Sequence, residues 1–355
     1  MRTLMVIAEM GSGGAEAVVA DLALDRLGRG DEVAVASDRG WRTGDLAVRG
    51  ARLVPLPLRS PSAPALARSG ARLRRHLRDR PADLLHTHNV RATLAAHLAV
   101  HAARRSTPPV VATVHGLAGP DYARAVRVLD RCADVVVAVS EHVADRLRDA
   151  GLPDARLRVV ENAAPLPRPP ARAAARAALG LPADVPVAVC VARLVAPKRH
   201  DLVVDAWGSL PGAPVLLLAG DGPGRADLVR RAASAGVADR VRLLGDRRDV
   251  ERLLAAADLV LLPSDREGLP VSVLEAMAAG VPVAASAVGG LVSLAGAVEL
   301  VDPATPEAWA SAVRRLLEDP GRRSDLRAAA SALVDRRFSP VAMRASYDAI
   351  YRDLI

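Results

Sequence analysis

The chain has 355 residues, 51% of them apolar, with 48 basic against 40 acidic side chains and a formal charge of +8. At ~100 to 200 residues per domain this length calls for two cores, and with only three Trp, three Tyr and one Phe they must be built from Ala, Val and Leu. The positive excess suits a phosphorylated ligand, but acids are interspersed with the arginines and no run alternates Arg with stacking aromatics, which argues against nucleic acid.

Short apolar runs alternate with amphipathic stretches along the whole chain, the pattern of βα units in parallel sheets. Strands are predicted at "TLMVIA", "EVAVAS", "RLVPL", "DLLHTH", "PVVATVH", "DVVVAVS" and "LRVV", and then at "VPVAVCVAR", "APVLLLAG", "RVRLLG", "DLVLLPS" and "VPVAAS". Between the two groups, "ENAAPLPRPPARAAARAALGLPADVP" reads as a linker with no strand before Val185. After Pro303 three helices follow, the last being "SPVAMRASYDAIYRDLI". The N-terminal apolar run meets a glycine loop rather than a cleavage site, and no run of ~18 apolar residues follows, so a soluble, cytoplasmic chain is expected. Cys132 and Cys190 lack metal or CxxC spacing and read as buried free thiols.

The first strand runs into "GSGGAEAVVADLALDRL", where Gly11, Gly13 and Gly14 allow close backbone approach to a ligand at a helix N-terminus. Glu16 stands where a GxGxxG fingerprint needs its third glycine, which weakens a dinucleotide dehydrogenase reading. His86, His88 and His115 follow strand ends; His86 and His88, two apart on a strand, share a face, which suits either metal or structure, and no third ligand accompanies them.

In the second half, "VAVCVARLVAPKRHDLVVDAW" places Arg193 at a strand tip and Lys198 before a helix starting near Arg199. Lys198 is the only lysine beside 47 arginines. A planar fork and a compact ammonium offer a diphosphate two kinds of donor, whereas a solvated surface pair is the plain alternative. "AGDGPGRADL" has the form of a crevice loop. In "PSDREGLPVSVLEAMAAGVPVAAS", Pro270 suits the first turn of a helix to about Ala279, with Leu274, Met277 and Ala278 inward. Glu267 and Glu275 could accept paired hydrogen bonds from vicinal hydroxyls, or serve as a helix-start charge and a solvated side chain.

Taken in order, "GSGGAE", "DLLHTH", "TVHG", "VVAVSE", "ARLVAPKRHD", "AGDGPGRADL", "LLPSDREGLPVSVLEAMAAGVPV" and "VGG" resemble family 4 retaining glycosyltransferases, and the match spans most of residues 1–290. The resemblance implies an α/β GT-B fold, two Rossmann-like doubly wound domains facing an interdomain cleft. An acceptor-binding domain would cover 1–165, a nucleotide-sugar-binding domain 166–338, and residues 339–355 would form a helix packing back on the first domain. By the same resemblance Arg193 and Lys198 hold the diphosphate and stabilise it as leaving group, Glu267 and the backbone of Gly268 and Leu269 hold the transferred sugar, and Glu275, completing a Glu-x7-Glu motif, holds the ribose. Gly13 and Gly14 would approach the diphosphate, His115 the reacting carbon, and Glu16 and His88 the acceptor.

The implied reaction moves a hexosyl or N-acetylhexosaminyl group, from a UDP-sugar by preference, to an acceptor hydroxyl such as that of a natural-product precursor. It retains anomeric configuration, needs neither metal nor cofactor, and uses Glu267 to position rather than attack. Asn162-Ala163 replaces the family's Asn-Gly, and Val292-Ser293 its Pro-Glu, before a curtailed loop "LAGAVELVD". Two other readings stay open: a lipid or cell-envelope acceptor at a membrane surface, reached through the basic segment "RSGARLRRHLRDR" (Arg68 to Arg80), and a sugar-nucleotide epimerase of the same fold.

Overall fold

The computed structural model describes residues 1–100, 107–164, 168–212 and 214–355. The chain divides into two compact units, Met1–Asn162 with Val341–Ile355, and Ala163–Pro340. The expected boundary between 165 and 166 falls outside the described residues.

The first unit alternates β1 (Arg2–Val6), α1 (Gly14–Gly28), β2 (Glu32–Ser37), α2 (Trp41–Val48), β3 (Arg52–Pro55), α3 (Ala63–Asp79), β4 (Leu84–His88), α4 (Val90–Val100), β5 (Val110–Val114), α5 (Tyr122–Cys132), β6 (Val135–Ala138), α6 (Glu141–Asp149) and β7 (Leu157–Val159). Its strands pair in parallel in the order β3-β2-β1-β4-β5-β6-β7. With helices on the sheet, β4 and β5 bury every residue, which is why "LLHTH" and "VVATV" do not alternate apolar with polar. Strand order reverses at β1 and β4, so the glycine loop after β1 and the histidines of β4 lie at the switch point of this sheet, where open α/β folds bind ligands.

The second unit runs α7 (Arg172–Ala178), β8 (Val187–Val191), α8 (His200–Trp207), β9 (Val215–Ala219), α9 (Arg225–Ser234), β10 (Val241–Gly245), α10 (Val250–Ala256), β11 (Leu259–Leu262), α11 (Val271–Ala278), β12 (Val283–Ser286), β13 (Glu299–Val301), α12 (Pro306–Glu318) and α13 (Pro320–Arg337). Its parallel order is β10-β9-β8-β11-β12-β13, with the reversal at β8 and β11. A core of small aliphatics closes around buried Trp207 and Trp309.

Three local expectations change. "LAGAVELVD" is more than a loop, because Glu299–Val301 adds the sheet's last strand beside β12. The supposed linker contains α7, whose Arg176 is buried and reaches Asp258 at 2.8 Å while donating to the carbonyls of Ala183 and Val185. Pro270 is the N-cap of α11 rather than a first-turn residue, and Ala278 is half-buried, the buried face being Val271, Val273, Leu274, Ala276 and Met277.

The last helix, α14 (Pro340–Leu354), packs within the first unit. It buries Met343, Tyr347, Ile350 and Tyr351, an i, i+4, i+7, i+8 stripe. Arg26 of α1 donates to Asp348 at 2.8 Å and lies 4.7 Å over the Tyr351 ring, and Arg344 pairs with Asp21. No helix of the described residues is long and apolar enough to cross a membrane.

Candidate functional site

In the second unit the site begins where β8 ends. Ala192 N–H donates to the Ala219 carbonyl, Leu194 N–H to the Asp221 carbonyl at 2.9 Å, and Gly224 N–H to the Leu194 carbonyl at 3.0 Å. The "AGDGPG" turn is pressed so closely on this segment that a Cβ at Gly220 or Gly222 would overlap the carbonyl of Ala192 or Leu194, and both glycines have positive φ. Arg193, fixed at its backbone by this saddle, is exposed and has no side-chain partner among the described residues.

A single 3-10 turn, Ala196–Lys198, follows. Arg199 takes a left-handed conformation (φ 45°), and its guanidinium reaches Asp265 at 3.0 Å and Asp201 at 3.1 Å. Asp265 N–H donates to the Pro197 carbonyl at 2.9 Å. The Lys198 turn is thereby clamped to the loop leaving β11, which brings Lys198 Nζ to 2.5 Å from Glu267 Oε1. The Glu267 side chain is only 9% exposed and that of Lys198 22%. Beneath Glu267, Gly290 N–H donates to its carbonyl at 3.2 Å, and Gly289 (φ 55°) lies so close that any Cβ there would overlap the same carbonyl oxygen.

Beneath the pair, Cys190 and His200 are buried. Burial pushes the neighbouring Cys190 thiol up to about 12, with Lys198 opposing the shift and Glu267 adding to it. Burial, helped by the Lys198 charge, holds His200 down to about 4. Gly268 and Leu269 are buried beside Glu267, and Glu275 is half-buried on α11.

In the first unit the glycine loop is held from α2. Arg42 Nε donates to the Gly11 carbonyl at 2.9 Å, Trp41 Nε1 to Ser12 Oγ at 2.9 Å, and Gly40 packs so tightly on the Met10 carbonyl that a Cβ would overlap it. Gly13 is the N-cap of α1 and brings no side chain to its amides. Glu16, expected beside an acceptor, folds its carboxylate back over Gly13, where an acid in the first turn answers the helix dipole.

The histidines form one cluster. Register pairs His88 of β4 with Thr113 of β5, so His115, two residues on, points from the same sheet face. His88 Nδ1 lies 3.0 Å from His115 Nε2, and the His86 and His88 ring centroids are 4.2 Å apart. Tyr351 OH contacts His86 Nδ1 at 2.6 Å, His86 Nε2 contacts Thr113 Oγ1 at 2.8 Å, and Tyr347 OH reaches the same hydroxyl at 3.1 Å. Burial drives His86 down to about 3 and His115 to about 4, and holds His88 well below its usual value. His88, expected to touch an acceptor, is 1% exposed and sits behind His115, which is half-buried. No group of three His, Cys, Asp or Glu among the described residues is arranged to hold a metal ion.

Sequence reading missed the residues that do the holding: Arg199 and Asp265, Gly289, Trp41 with Arg42, and Asn89. Asn89 has φ 69° and accepts from His115 N–H at 3.3 Å through its side chain. Gly289 was visible as part of "VGG", and Arg199 and Asp265 lie inside "ARLVAPKRHD" and "LLPSDREGLPVSVLEAMAAGVPV", but nothing in those stretches shows that the two pair. The basic segment forms most of α3, where Arg74, Arg75, Arg78, Ala67, Gly70, Ala71 and the exposed Leu98 of α4 line a shallow groove of about 550 Å³.

Comparison with known proteins agrees with this architecture. A model of Glycosyltransferase Family 4 matches residues 12–168, and one of glycosyl transferases group 1 matches residues 171–332. A D-inositol 3-phosphate glycosyltransferase of Xylanimonas cellulosilytica is 35% identical over 72% of this chain and 68% of its own length. The protein of the same name from Mycobacterium bovis is 35% identical over 59% of this chain, a match that spans about half (48%) of that relative. The crystal structure of Anabaena Alr3699/HepE in complex with UDP-glucose superposes with a TM-score of 0.87 over 100% of both chains, at 23% identity, and shares the GT-B fold. With both halves matched by family models and a relative aligned over most of its length, the chain belongs to glycosyltransferase family 4.

Proposed function

We propose that the chain transfers a hexosyl or N-acetylhexosaminyl group from a nucleotide-diphosphate sugar, a UDP-sugar by preference, to an acceptor hydroxyl, with retention of configuration and without a metal. The observation that carries this reading is the Lys198–Glu267 pair at 2.5 Å, together with Arg193, whose side chain has no partner among the described residues, on loops at the carboxyl ends of β8 and β11. Before donor arrives each member of this part-buried pair neutralises the other. A donor offers both a better match: diphosphate oxygens for the ammonium, sugar hydroxyls for the carboxylate.

Chemically, the bond from the anomeric carbon to the β-phosphate oxygen breaks and the nucleoside diphosphate departs with that electron pair. The acceptor oxygen bonds the same face of the anomeric carbon, and its proton passes to the departing phosphate oxygen. Charge grows on the leaving group, so fixed cations at that position lower the barrier more than they strengthen ground-state binding. Lys198 and Arg193 fill this role, Glu267 with the Gly268 and Leu269 backbone orients the sugar, and Glu275 takes the ribose. Gly13 and Gly14 serve the diphosphate and His115 the reacting carbon, while the first unit supplies the acceptor side.

A soluble small molecule is the favoured acceptor. The inositol 3-phosphate glycosyltransferases at 35% identity make a phosphorylated polyol the first candidate to test. The test is a panel of UDP-, GDP- and ADP-sugars read by thermal stabilisation and by nucleoside diphosphate release with and without acceptor. UDP-sugars are expected to stabilise the protein, and release is expected to depend on acceptor. Failure of every nucleotide sugar to bind would sink this reading, and conversion of the donor sugar without any acceptor would instead indicate the epimerase.

A further inference from the structure

We infer that His88 is a positioning residue that fixes the tautomer of His115, so that His115 meets its substrate as a hydrogen-bond donor through Nδ1 and not as a base through Nε2. The inference rests on the reading of His115 as a substrate-facing group, and it starts from an atom that the glycosyltransferase account leaves unexplained.

His88 is buried, its Nδ1 lies 3.0 Å from His115 Nε2, and its Nε2 is buried with no hydrogen-bond partner among the described residues. Two neutral imidazoles share one proton across such a contact, so one ring must donate and the other accept. If His115 Nε2 were the donor, the remaining proton of neutral His88 would sit on its Nε2, a buried N–H aimed at nothing. If His88 Nδ1 is the donor, its Nε2 carries only a lone pair. An orphaned buried N–H is rarer and costlier than an under-used acceptor, so the second arrangement wins.

The consequence falls on His115. With Nε2 occupied as an acceptor, its own proton is on Nδ1, and Nδ1 has no partner among the described residues and is not among the buried unsatisfied atoms. The ring is half-buried, its backbone N–H is held by Asn89 Oδ1 at 3.3 Å, and its plane lies within 21° of that of His88. A neutral imidazole held in this way presents one N–H in a fixed direction. It can orient a hydroxyl or steady a developing negative charge, and it has no free basic nitrogen with which to take the acceptor's proton. That fits a mechanism in which the departing phosphate takes that proton.

The His88 ring is itself backed by His86, which is anchored by Tyr351 on one nitrogen and Thr113 on the other. The support thus extends to α14, which reaches the cluster after the chain has passed through the whole second unit.

The test is nitrogen NMR on the full-length protein labelled with 15N-histidine, since the two ring nitrogens differ strongly in shift with protonation. The native protein is expected to show His115 protonated at Nδ1 and bare at Nε2. In His88→Leu the His115 proton should redistribute between the two nitrogens, and kcat for sugar transfer should fall about tenfold with little change in donor KM. His88→Asn, whose amide N–H can stand in for Nδ1–H, should restore both the tautomer and most of the rate. A native spectrum with the proton on His115 Nε2 overturns the inference, as does a full rate in His88→Leu or a failure of His88→Asn to rescue. The spectrum needs no turnover, so failure of the glycosyltransferase reading is told apart from failure of this one.

Discussion

Gly289→Ala tests whether the backbone under Glu267 is as exacting as the structure makes it. Residue 289 sits at φ 55°, where a side chain costs ~1–2 kcal/mol. An ideal Cβ there would lie 3.0 Å from the Glu267 carbonyl carbon, 3.2 Å from its nitrogen, and on top of its oxygen. Relief to an ordinary contact of ~3.5 Å parts that oxygen from the new Cβ by roughly 1.5 Å or more and breaks its bond from Gly290. Strain and the lost hydrogen bond together come to ~2–4 kcal/mol. A displacement of ~1 Å in a substrate-orienting group costs about 10²-fold in rate.

Gly280 supplies the control, because it too is left-handed (φ 68°) but has nothing within 4 Å of a new Cβ. Gly280→Ala should lose only the ~1–2 kcal/mol of conformational strain and keep its turnover. Urea midpoints and donor turnover, measured on both variants, check the reasoning. Equal damage from the two, or a native-like Gly289→Ala, would refute it.

Arg193→Ala should lower kcat by ~10²–10³-fold while leaving the urea midpoint unchanged, since the guanidinium has no partner among the described residues to lose; a stability loss as large as the rate loss would make Arg193 structural. Acid should destabilise the first unit before the second. Its His86 and His115 are held near 3 and 4 and His88 well below its usual value, whereas an unfolded histidine takes its proton near ~6.5. Between those limits the unfolded chain binds protons that the folded one refuses, so stability is intact above about 6.5 and falls with pH by about 1.4 kcal/mol per unit for each ring. The second unit has His200 alone in this state, held near 4. Hydrogen exchange by mass spectrometry at pH 7 and 5.5 reads the two units separately, and equal loss of protection in both would contradict the assignment.

Much of the fold was legible because burial on both faces of a parallel sheet leaves apolar runs, as in β5, β8, β9 and β11, and all twelve predicted strands form, the largely exposed β3 at the sheet edge among them. β13 was not legible, because "ELV" is three residues long and begins with Glu299, an acid made acceptable by Arg315 and by Arg322 at 2.8 Å. α7 was hidden by the prolines around it. Candidate site residues on the loops after β8 and β11 were visible as types in order, but not what holds them. The Arg199–Asp265 clamp joins residues 66 apart, and Tyr351 meets His86 across 265, so neither leaves a local pattern. His88 shows the limit most clearly: its place at a strand end suggested contact with a ligand, while its burial and its 3.0 Å contact with His115 follow from the register with β5, which no local pattern announces.

In the proposed reaction Lys198, the chain's only lysine, supplies a compact charge to a departing diphosphate. The direct measurement is steady-state transfer from a UDP-sugar by Lys198→Ala and Lys198→Arg. For the alanine variant kcat is expected to fall ~10²–10³-fold, and for the arginine variant to recover to no more than about a tenth of the native rate, because a planar fork cannot take the place of an ammonium beside Glu267. Native turnover in either variant would contradict this role.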